Sequence, residues 1–308
     1  MRVIPFRSRD RVDLYDFDRA DDPVHSIAVV APYESLDAHP SDLGVAYADR
    51  CELVRLDRDG AVTSRVRIST APGSPGGGHV SCAFSYDGDQ VWVFSPDAML
   101  DRGEDRILVI DDATGTVVAE HLTRTAGHGA SFTPHPDGSM FVEIGEGQDG
   151  VPVLRCRLDG GIIAVHDYGW IDRVFCGLSP DGQMFMTTDH QGGTNALFHR
   201  YDGSIVCQVE LDAFTGMGGD DEEAMIEWVG GFLDRQTAVV VLSGYDEDAD
   251  EDWHEHYLVS PFTGKVLGRW AVEVNDPHDV DLLGDGTWLH RRPDRFERVR
   301  ADRSATAL

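Results

Sequence analysis

The chain has 308 residues, of which 41% are hydrophobic, and its 55 acidic residues against 26 basic residues give a formal net charge of −29 at pH 7. This charge repels nucleic-acid phosphates and anionic lipid headgroups, so we expect neither nucleic acid nor a membrane as a partner. No apolar run approaches the ~18 residues of a membrane-spanning helix, and the N-terminus lacks the apolar core of a secretory signal, so we expect a cytoplasmic protein.

A short turn phrase recurs along the chain, each time between two apolar runs. It reads FSYDG at 84–88, FTPHPDG at 132–138 and LSPDG at 178–182, with looser copies at 232–235 and 282–286. A strand, a tight turn and a second strand at a regular spacing are the signature of a repeat fold. The turn aspartates are spaced 44 to 53 residues apart, at Asp42, Asp87, Asp137, Asp181, Asp234 and Asp285.

A second series of turns lies between the members of the first. These turns are Asp-Gly or Thr-Gly pairs, which supply the positive φ that tight hairpins need, at 59–60, 114–115, 159–160, 202–203 and 263–264. Each repeat therefore holds four short strands, which predicts an all-β fold, a single β-propeller spanning residues 1–308 with six four-stranded blades.

The predicted blades divide the chain at the gaps between turn series. In chain order they are 24–70, 79–123, 128–168, 173–213, 225–274 and 278–308. The last of them lacks a clear fourth strand. We expect a strand from the N-terminal segment 1–18 to complete it, because this pairing would close the fold and remove an open sheet edge.

The turn phrases also carry a family resemblance. The Ser-Pro-Asp-Gly turn at 179–182 and its variants at 85–88 and 134–138 resemble those of the WD40-like and TolB-like β-propeller families. The resemblance covers most of the chain and implies a propeller. The Trp-Asp dipeptide that ends a typical WD40 blade does not occur, and Gly-His precedes a blade only at 78–79 and 127–128.

The five cysteines are scattered without a CxxC pair, which predicts reduced thiols rather than a disulfide framework. Cys82 and Cys176 each stand five residues before a turn aspartate, where other repeats carry Phe or Val. We expect this repeat position to pack in the core. Lys265 is the only lysine, an arginine bias that is typical of a GC-rich, bacterial genome.

Four histidines stand at or just before predicted first strands, at His25, His79, His128 and His278. Imidazoles that converge from such strands could hold a transition metal, and the site would resemble the four-histidine iron site of carotenoid oxygenases. Their offsets from the turn aspartates differ, however, so their side chains are expected to point in different directions. Ordinary histidines at the start of each blade are the favoured interpretation.

The segment 244–256, GYDEDADEDWHEH, alternates carboxylates and ends in two histidines. Alternating carboxylates could bind calcium, but the Gly and the bidentate Glu of an EF-hand loop are missing. His254 and His256 would share one face of a strand and could bind zinc or nickel. A solvated acidic insertion is the favoured interpretation, and it is expected to bind a partner together with a second acidic run. The predicted partner-binding residues are Asp220, Asp221, Glu222, Glu223, Asp246, Asp248, Asp250, Asp252 and Trp253.

Two functions fit these patterns. The favoured one is a non-catalytic propeller scaffold without a cofactor, which binds another protein, best one with a basic surface, through the acidic loops. Trp170 or Trp228 could anchor this partner, although packing between blades is favoured for Trp228. The alternative is a metal-dependent hydrolase or lyase that resembles the gluconolactonase group, with a divalent metal in a central channel. Its candidate ligands are His79, His128, Asp172, Glu227 and His278.

Overall fold

Antiparallel strands account for almost all of the regular structure of this chain. The computed structural model describes residues 3–8, 10–29, 32–70, 74, 77–147, 150–170, 172–214, 224–246 and 250–301. Within these ranges the strands form seven separate sheets, and consecutive strands are neighbours in each of them. No helix in the described ranges is long and apolar enough to cross a bilayer.

The first of two structural units, Met1–Ile171, holds four sheets. The first sheet has three strands: β1 (Ile4–Arg7), β2 (Arg11–Tyr15) and β3 (His25–Ala28). The second has four: β4 (Ser35–Ala38), β5 (Val45–Ala48), β6 (Glu52–Leu56) and β7 (Val62–Arg67). The third has β8 (Ser81–Phe84), β9 (Gln90–Ser95), β10 (Arg106–Asp111) and β11 (Thr116–Leu122). The fourth has β12 (Gly129–Pro134), β13 (Ser139–Gly145), β14 (Val153–Asp159) and β15 (Ile162–Asp167).

The second unit, Asp172–Leu308, holds the remaining three sheets. The fifth sheet has β16 (Arg173–Leu178), β17 (Met184–Asp189), β18 (Asn195–Arg200) and β19 (Ile205–Glu210). The sixth has β20 (Met225–Phe232), β21 (Ala238–Asp246), β22 (Glu251–Val259) and β23 (Val266–Trp270). The seventh has three strands, β24 (Val280–Leu282), β25 (Thr287–Arg291) and β26 (Phe296–Arg300).

The prediction of six blades is therefore wrong, because the chain forms seven. The extra blade is the N-terminal sheet, in which β1 pairs with β2 from Ile4↔Tyr15 to Arg7↔Val12. The predicted pairing of an N-terminal strand with the last blade is also wrong, because β24, β25 and β26 form a three-stranded sheet of their own in the described residues. The physical reason lies in β2, whose Val12 and Leu14 are completely buried in a cluster shared with β5 and β6.

Strand alternation builds the core between neighbouring sheets. In β9, Val91 and Val93 pack toward the second sheet, whereas Trp92 and Phe94 pack toward the fourth. Successive side chains of a strand point to opposite faces, so one apolar strand contributes to two clusters. Each such side chain stabilises the fold by roughly 1.5–3 kcal/mol through burial.

The structure holds all five cysteines as thiols and places the two aligned ones as predicted. Cys82 is buried in the cluster between the second and third sheets. Cys176 is half-buried and packs against the cluster between the fifth and sixth sheets. Burial raises the pKa of the Cys82 thiol to about 12, so this side chain stays protonated and inert at neutral pH.

Local hydrogen bonds explain why the turn phrase recurs. In the β8–β9 turn, the hydroxyl of Ser85 donates to Asp87 (2.6 Å) and accepts from the backbone N–H of Gln90 (3.0 Å). The β16–β17 turn repeats the pattern at Ser179 and Asp181. Gly88 takes φ 86°, a conformation that glycine adopts without strain.

The strand directions divide each sheet into two ends. The turn phrases lie at one end, which we call the turn end. The opposite end of a four-stranded sheet carries the start of its first strand and the connection between its second and third strands, because neighbouring strands run antiparallel. We call it the loop end.

Candidate functional site

The hairpin of β21 and β22 carries a cluster of exposed carboxylates at the loop end of the sixth sheet. Its strands pair without interruption from Ala238↔Val259 to Asp246↔Glu251. The first strand of the sheet starts at Met225, opposite Ser243, so the hairpin extends beyond it. We call its exposed acidic residues, Asp246, Asp250, Glu251 and Asp252, the acidic tip. The predicted Asp248 and the predicted run Asp220, Asp221, Glu222 and Glu223 lie outside the described residues.

The acidic tip has a defined backbone. The N–H of Asp250 donates to the carbonyl oxygen of Asp246 (2.8 Å), and Asp250 takes φ 58°, which Asp tolerates better than most residues. The hydroxyl of Tyr245 also donates to the carboxylate of Asp250. These bonds fix the backbone of the turn and the position of the Asp250 carboxylate.

Trp253, predicted to contact a partner, stiffens this hairpin. It pairs with Gly244 across the strands, and its indole lies 2.5 Å from the position that a Cβ on Gly244 would occupy. The flat side chain therefore rests on the glycine backbone, and it also packs against the core cluster between the fifth and sixth sheets. The residue is half-buried, and its contact with a partner stays a prediction.

Trp228 lies in a bulge of β20, in the half of the strand nearer the loop end. The pairing of β20 with β21 shifts register between Ile226 and Gly230, and such a bulge redirects the side chains within it. Trp228 is 41% exposed, so it packs against the neighbouring fifth sheet with part of its surface and leaves another part open. One side of its indole contacts the ring of His190, with 4.7 Å between the ring centroids.

Two carboxylates neighbour these residues, one beside the ring of His190 and one beside the backbone of Trp228. Asp172 Oδ1 lies 3.5 Å from His190 Nδ1, and the backbone N–H of His190 donates to the carbonyl oxygen of Asp172 (3.1 Å). Glu227 Oε1 accepts from the Ser243 hydroxyl (2.6 Å), while Oε2 accepts from the backbone N–H of Trp228 (3.3 Å). We call Trp228, His190, Asp172 and Glu227 the Trp228 cluster.

Further acidic groups at the loop ends of this unit are held in their charged form. The backbone N–H and the ring of His278 keep the pKa of Asp276 below its usual value. Partial burial would raise the pKa of Asp189, but hydrogen bonds from Thr194 and from backbone N–H groups lower it overall. The loop ends of the second unit therefore carry negative charge at neutral pH.

The structure gives ring contacts for two of the four predicted metal-binding histidines at first strands, His25 and His278. In the first unit, the exposed His79 and His128 are joined through the main chain, where the backbone N–H of His79 donates to the carbonyl oxygen of His128 (2.8 Å). His25 Nε2 lies 2.5 Å from the carbonyl oxygen of Arg58, also in the first unit. In the second unit, the exposed His278 contacts Asp276 (2.9 Å).

His254 and His256 do share a strand face, with 5.8 Å between their ring centroids. His254 Nε2 lies 3.1 Å from the carbonyl oxygen of Val274, so this nitrogen carries hydrogen and donates. Burial, with a smaller effect of His254, lowers the pKa of His256 to about 4 and keeps it neutral. The metal-binding role of both histidines stays a prediction.

One cluster that the sequence did not suggest has the spacing of a metal site. Among the described residues, the one group of three candidate ligands within reach of a common ion is His39, Asp42 and Asp112. The buried guanidinium of Arg55 already bridges both carboxylates, at 2.5 Å from Asp42 and 2.8 Å from Asp112. This cation neutralises the carboxylates, so the cluster is an ion-pair network that links the second and third sheets.

Comparison with solved structures identifies the architecture. The β-propeller domain of Cps50 (Swd1) from Myceliophteria thermophila matches with a TM-score of 0.51 and 9% identity, over 88% of this chain and 86% of that one. The C-terminal WD40 domain of Sif2 matches with a TM-score of 0.50 and 10% identity, over 98% and 93%. This chain has the β-propeller fold.

A third similar structure is that of BBS1N in complex with ARL6DN, with a TM-score of 0.54 and 11% identity over 96% of this chain and 88% of that one. At these identities the likeness establishes the propeller fold and nothing narrower. No family model matches the sequence, and no curated protein matches it either.

Proposed function

We propose that this propeller is a protein-binding scaffold that docks a basic partner protein at the loop ends of its second unit. One observation carries the proposal: the exposed Trp228 and the acidic tip belong to the same sheet and lie in the half of it nearer the loop end. Aromatic anchors surrounded by complementary charge are typical of protein interfaces. A rigid sheet scaffold with projecting loops provides such surfaces without any catalytic group.

The electrostatics support a basic partner. The acidic tip concentrates negative charge on a chain that already carries a net charge of −29, and opposite charge on a partner accelerates and orients its encounter. The same charge disfavours nucleic acid and anionic membranes as partners, so the proposal excludes both. We also propose a cytoplasmic location. BBS1N forms a complex with ARL6DN, and we propose that this chain likewise works in a complex with another protein.

The proposal is tested by charge variants with a matched control. The test variant replaces Asp246, Asp250 and Asp252 by Asn, which removes three charges and keeps the side-chain shapes. The control variant replaces Asp59, Asp89 and Asp159 by Asn, which removes three exposed charges at turn ends. A partner is first captured from the host with the wild-type protein, then purified and titrated against all three proteins.

The scaffold proposal predicts that the test variant binds about tenfold more weakly and that the control variant binds like the wild type, because close charge pairs at an interface contribute most to affinity. The difference should shrink at high salt. Equal binding by the wild type and the test variant would remove the acidic tip from the interface and overturn the proposal.

A further inference from the structure

The Trp228 cluster combines an exposed aromatic face with two carboxylates, which is the chemistry that recognises a cationic side chain. We infer that it is a binding site for one arginine side chain of the partner, an inference that rests on the proposed function and specifies how docking is made selective. The occupant would insert its guanidinium against the indole of Trp228, between Glu227 and Asp172.

The aromatic half of this site is the indole. His190 covers one side of it, at 4.7 Å between centroids and an interplanar angle of 33°, and yet 41% of Trp228 remains exposed. The ring is therefore held in place while part of its surface stays open to a ligand. Tryptophan is the best aromatic partner for a cation, and an arginine guanidinium stacks on it with little loss of hydration.

The acidic half consists of two carboxylates with defined contacts. Glu227 is oriented by the hydroxyl of Ser243 and by the backbone N–H of Trp228, so its carboxylate is held beside the main chain of the residue that carries the indole. Asp172 Oδ1 lies 3.5 Å from His190 Nδ1, and 27% of the Asp172 side chain is exposed. Two oriented carboxylates can accept several of the five N–H groups of one guanidinium.

The cation nearest in sequence does not fill this role. Arg173 follows Asp172 directly, but its guanidinium donates to Asn195 Oδ1 (2.6 Å) and to the carbonyl oxygen of Thr187 (2.9 Å). Its donors are used within the fifth sheet. Arg173 therefore does not neutralise Asp172, and the inferred site takes its cation from the partner.

Arginine is favoured over lysine for geometric reasons. The site pairs a flat ring with carboxylates at its edge, and a planar guanidinium can stack and form paired hydrogen bonds at the same time. A lysine ammonium is a compact, strongly hydrated charge that satisfies one of these contacts at a time. The inference therefore predicts a ranking of ligands and not merely attraction of positive charge.

The test uses three capped pentapeptides, Gly-Gly-X-Gly-Gly, in which X is arginine, citrulline or lysine. Citrulline keeps the shape of arginine and removes its charge. Binding is measured by NMR from the shifts of the peptide side-chain signals during titration with the full-length protein. The variants are Trp228→Leu and Asp172→Asn, with Asp202→Asn at the turn end of the fifth sheet as the charge-matched control.

The arginine peptide should bind about fivefold or more tightly than the citrulline peptide and more tightly than the lysine peptide. Trp228→Leu and Asp172→Asn should each remove most of this preference, whereas Asp202→Asn should keep it. Asp172→Asn is isosteric, so it remains informative if Trp228→Leu disturbs the fold.

Equal binding of arginine and citrulline peptides, or a preference that survives Asp172→Asn in a folded protein, would overturn the inference. Such a result would leave the scaffold proposal standing if the partner still requires the acidic tip. Conversely, a partner whose affinity does not depend on the acidic tip would contradict the scaffold proposal. The ranking of the three peptides by affinity would still decide whether the Trp228 cluster binds arginine.

Discussion

The indole of Trp228 and the imidazole of His190 lie with their centroids 4.7 Å apart, although 38 residues separate them in sequence and they belong to different sheets. The contact joins the loop end of the fifth sheet to the bulge of β20. The contact supports the indole of Trp228 on one side while 41% of the residue stays exposed. The proposed docking surface surrounds this indole.

Acidification should destabilise the protein because two histidines are buried in the neutral form. Burial lowers the pKa of His199 and of His256 to about 4 from an ordinary 6.5. The unfolded chain binds these protons first as the pH falls, so this stabilisation is complete above about pH 6.5 and is lost progressively toward pH 4. Melting temperatures between pH 7.5 and 4.5 measure it, and His256→Gln should flatten the curve. A wild-type curve that is flat over this range would contradict the prediction.

Replacing Arg55 should destabilise the first unit far more than replacing a surface arginine. Arg55 is buried and pairs with the largely buried Asp112 and the half-exposed Asp42, so Arg55→Met leaves Asp112 uncompensated and should cost about 3 kcal/mol of unfolding free energy. Arg65 pairs with Glu52 in solvent, and Arg65→Met should cost at most about 1 kcal/mol. Urea denaturation of both variants gives the comparison, and similar losses would show that Arg55 does not act as a buried ion-pair centre.

Two glycines with the same backbone conformation should respond differently to alanine. Gly88 and Gly138 both take positive φ, at 86° and 83°. A Cβ on Gly88 would collide with the imidazole of His39, whereas a Cβ on Gly138 would meet nothing within 4 Å. Both substitutions pay the backbone strain of about 1–2 kcal/mol, and Gly88→Ala should lose clearly more stability. Equal losses in thermal unfolding would exclude the predicted collision.

The N-terminal sheet should be an essential part of the first unit. Leu14 in β2 is completely buried, so Leu14→Ala should cost about 2–5 kcal/mol. Val62 in the outer strand β7 is 48% exposed, and Val62→Ala should change the unfolding free energy by less than about 0.5 kcal/mol. A Leu14→Ala protein as stable as the wild type would mean that the N-terminal blade contributes no core.

The repeat could be predicted from the sequence where local chemistry sets the structure. The hydroxyl of Ser85 or Ser179 and the following aspartate form the turn within a few residues, so the same letters recur in each such hairpin. The strands β1 to β3 lack this phrase and are joined by other connections. Their pairing depends on the burial of Val12 and Leu14 in a cluster shared with β5 and β6, which no local motif indicates. The sequence therefore predicted six blades and not seven.

The candidate site was only partly predictable. The acidic tip lies in a short segment rich in carboxylates, and such a composition predicts exposure to solvent. Asp246, Asp250 and Asp252 are exposed, as expected of a solvated insertion. The exposure of Trp228 depends on a register shift, for which Gly230-Gly231 was the one local signal, since both take positive φ. The partnership with His190 arises from sheet packing alone and leaves no mark on the sequence.

Hydrogen–deuterium exchange on the complex with the purified partner tests the central claim most directly. The account predicts slower exchange, relative to the unbound protein, in β20 around Trp228 and in the β21–β22 hairpin, with unchanged exchange at the turns after β8 and β16. Protection confined to those turn ends, with β20 and the hairpin exchanging as in the unbound protein, would contradict it.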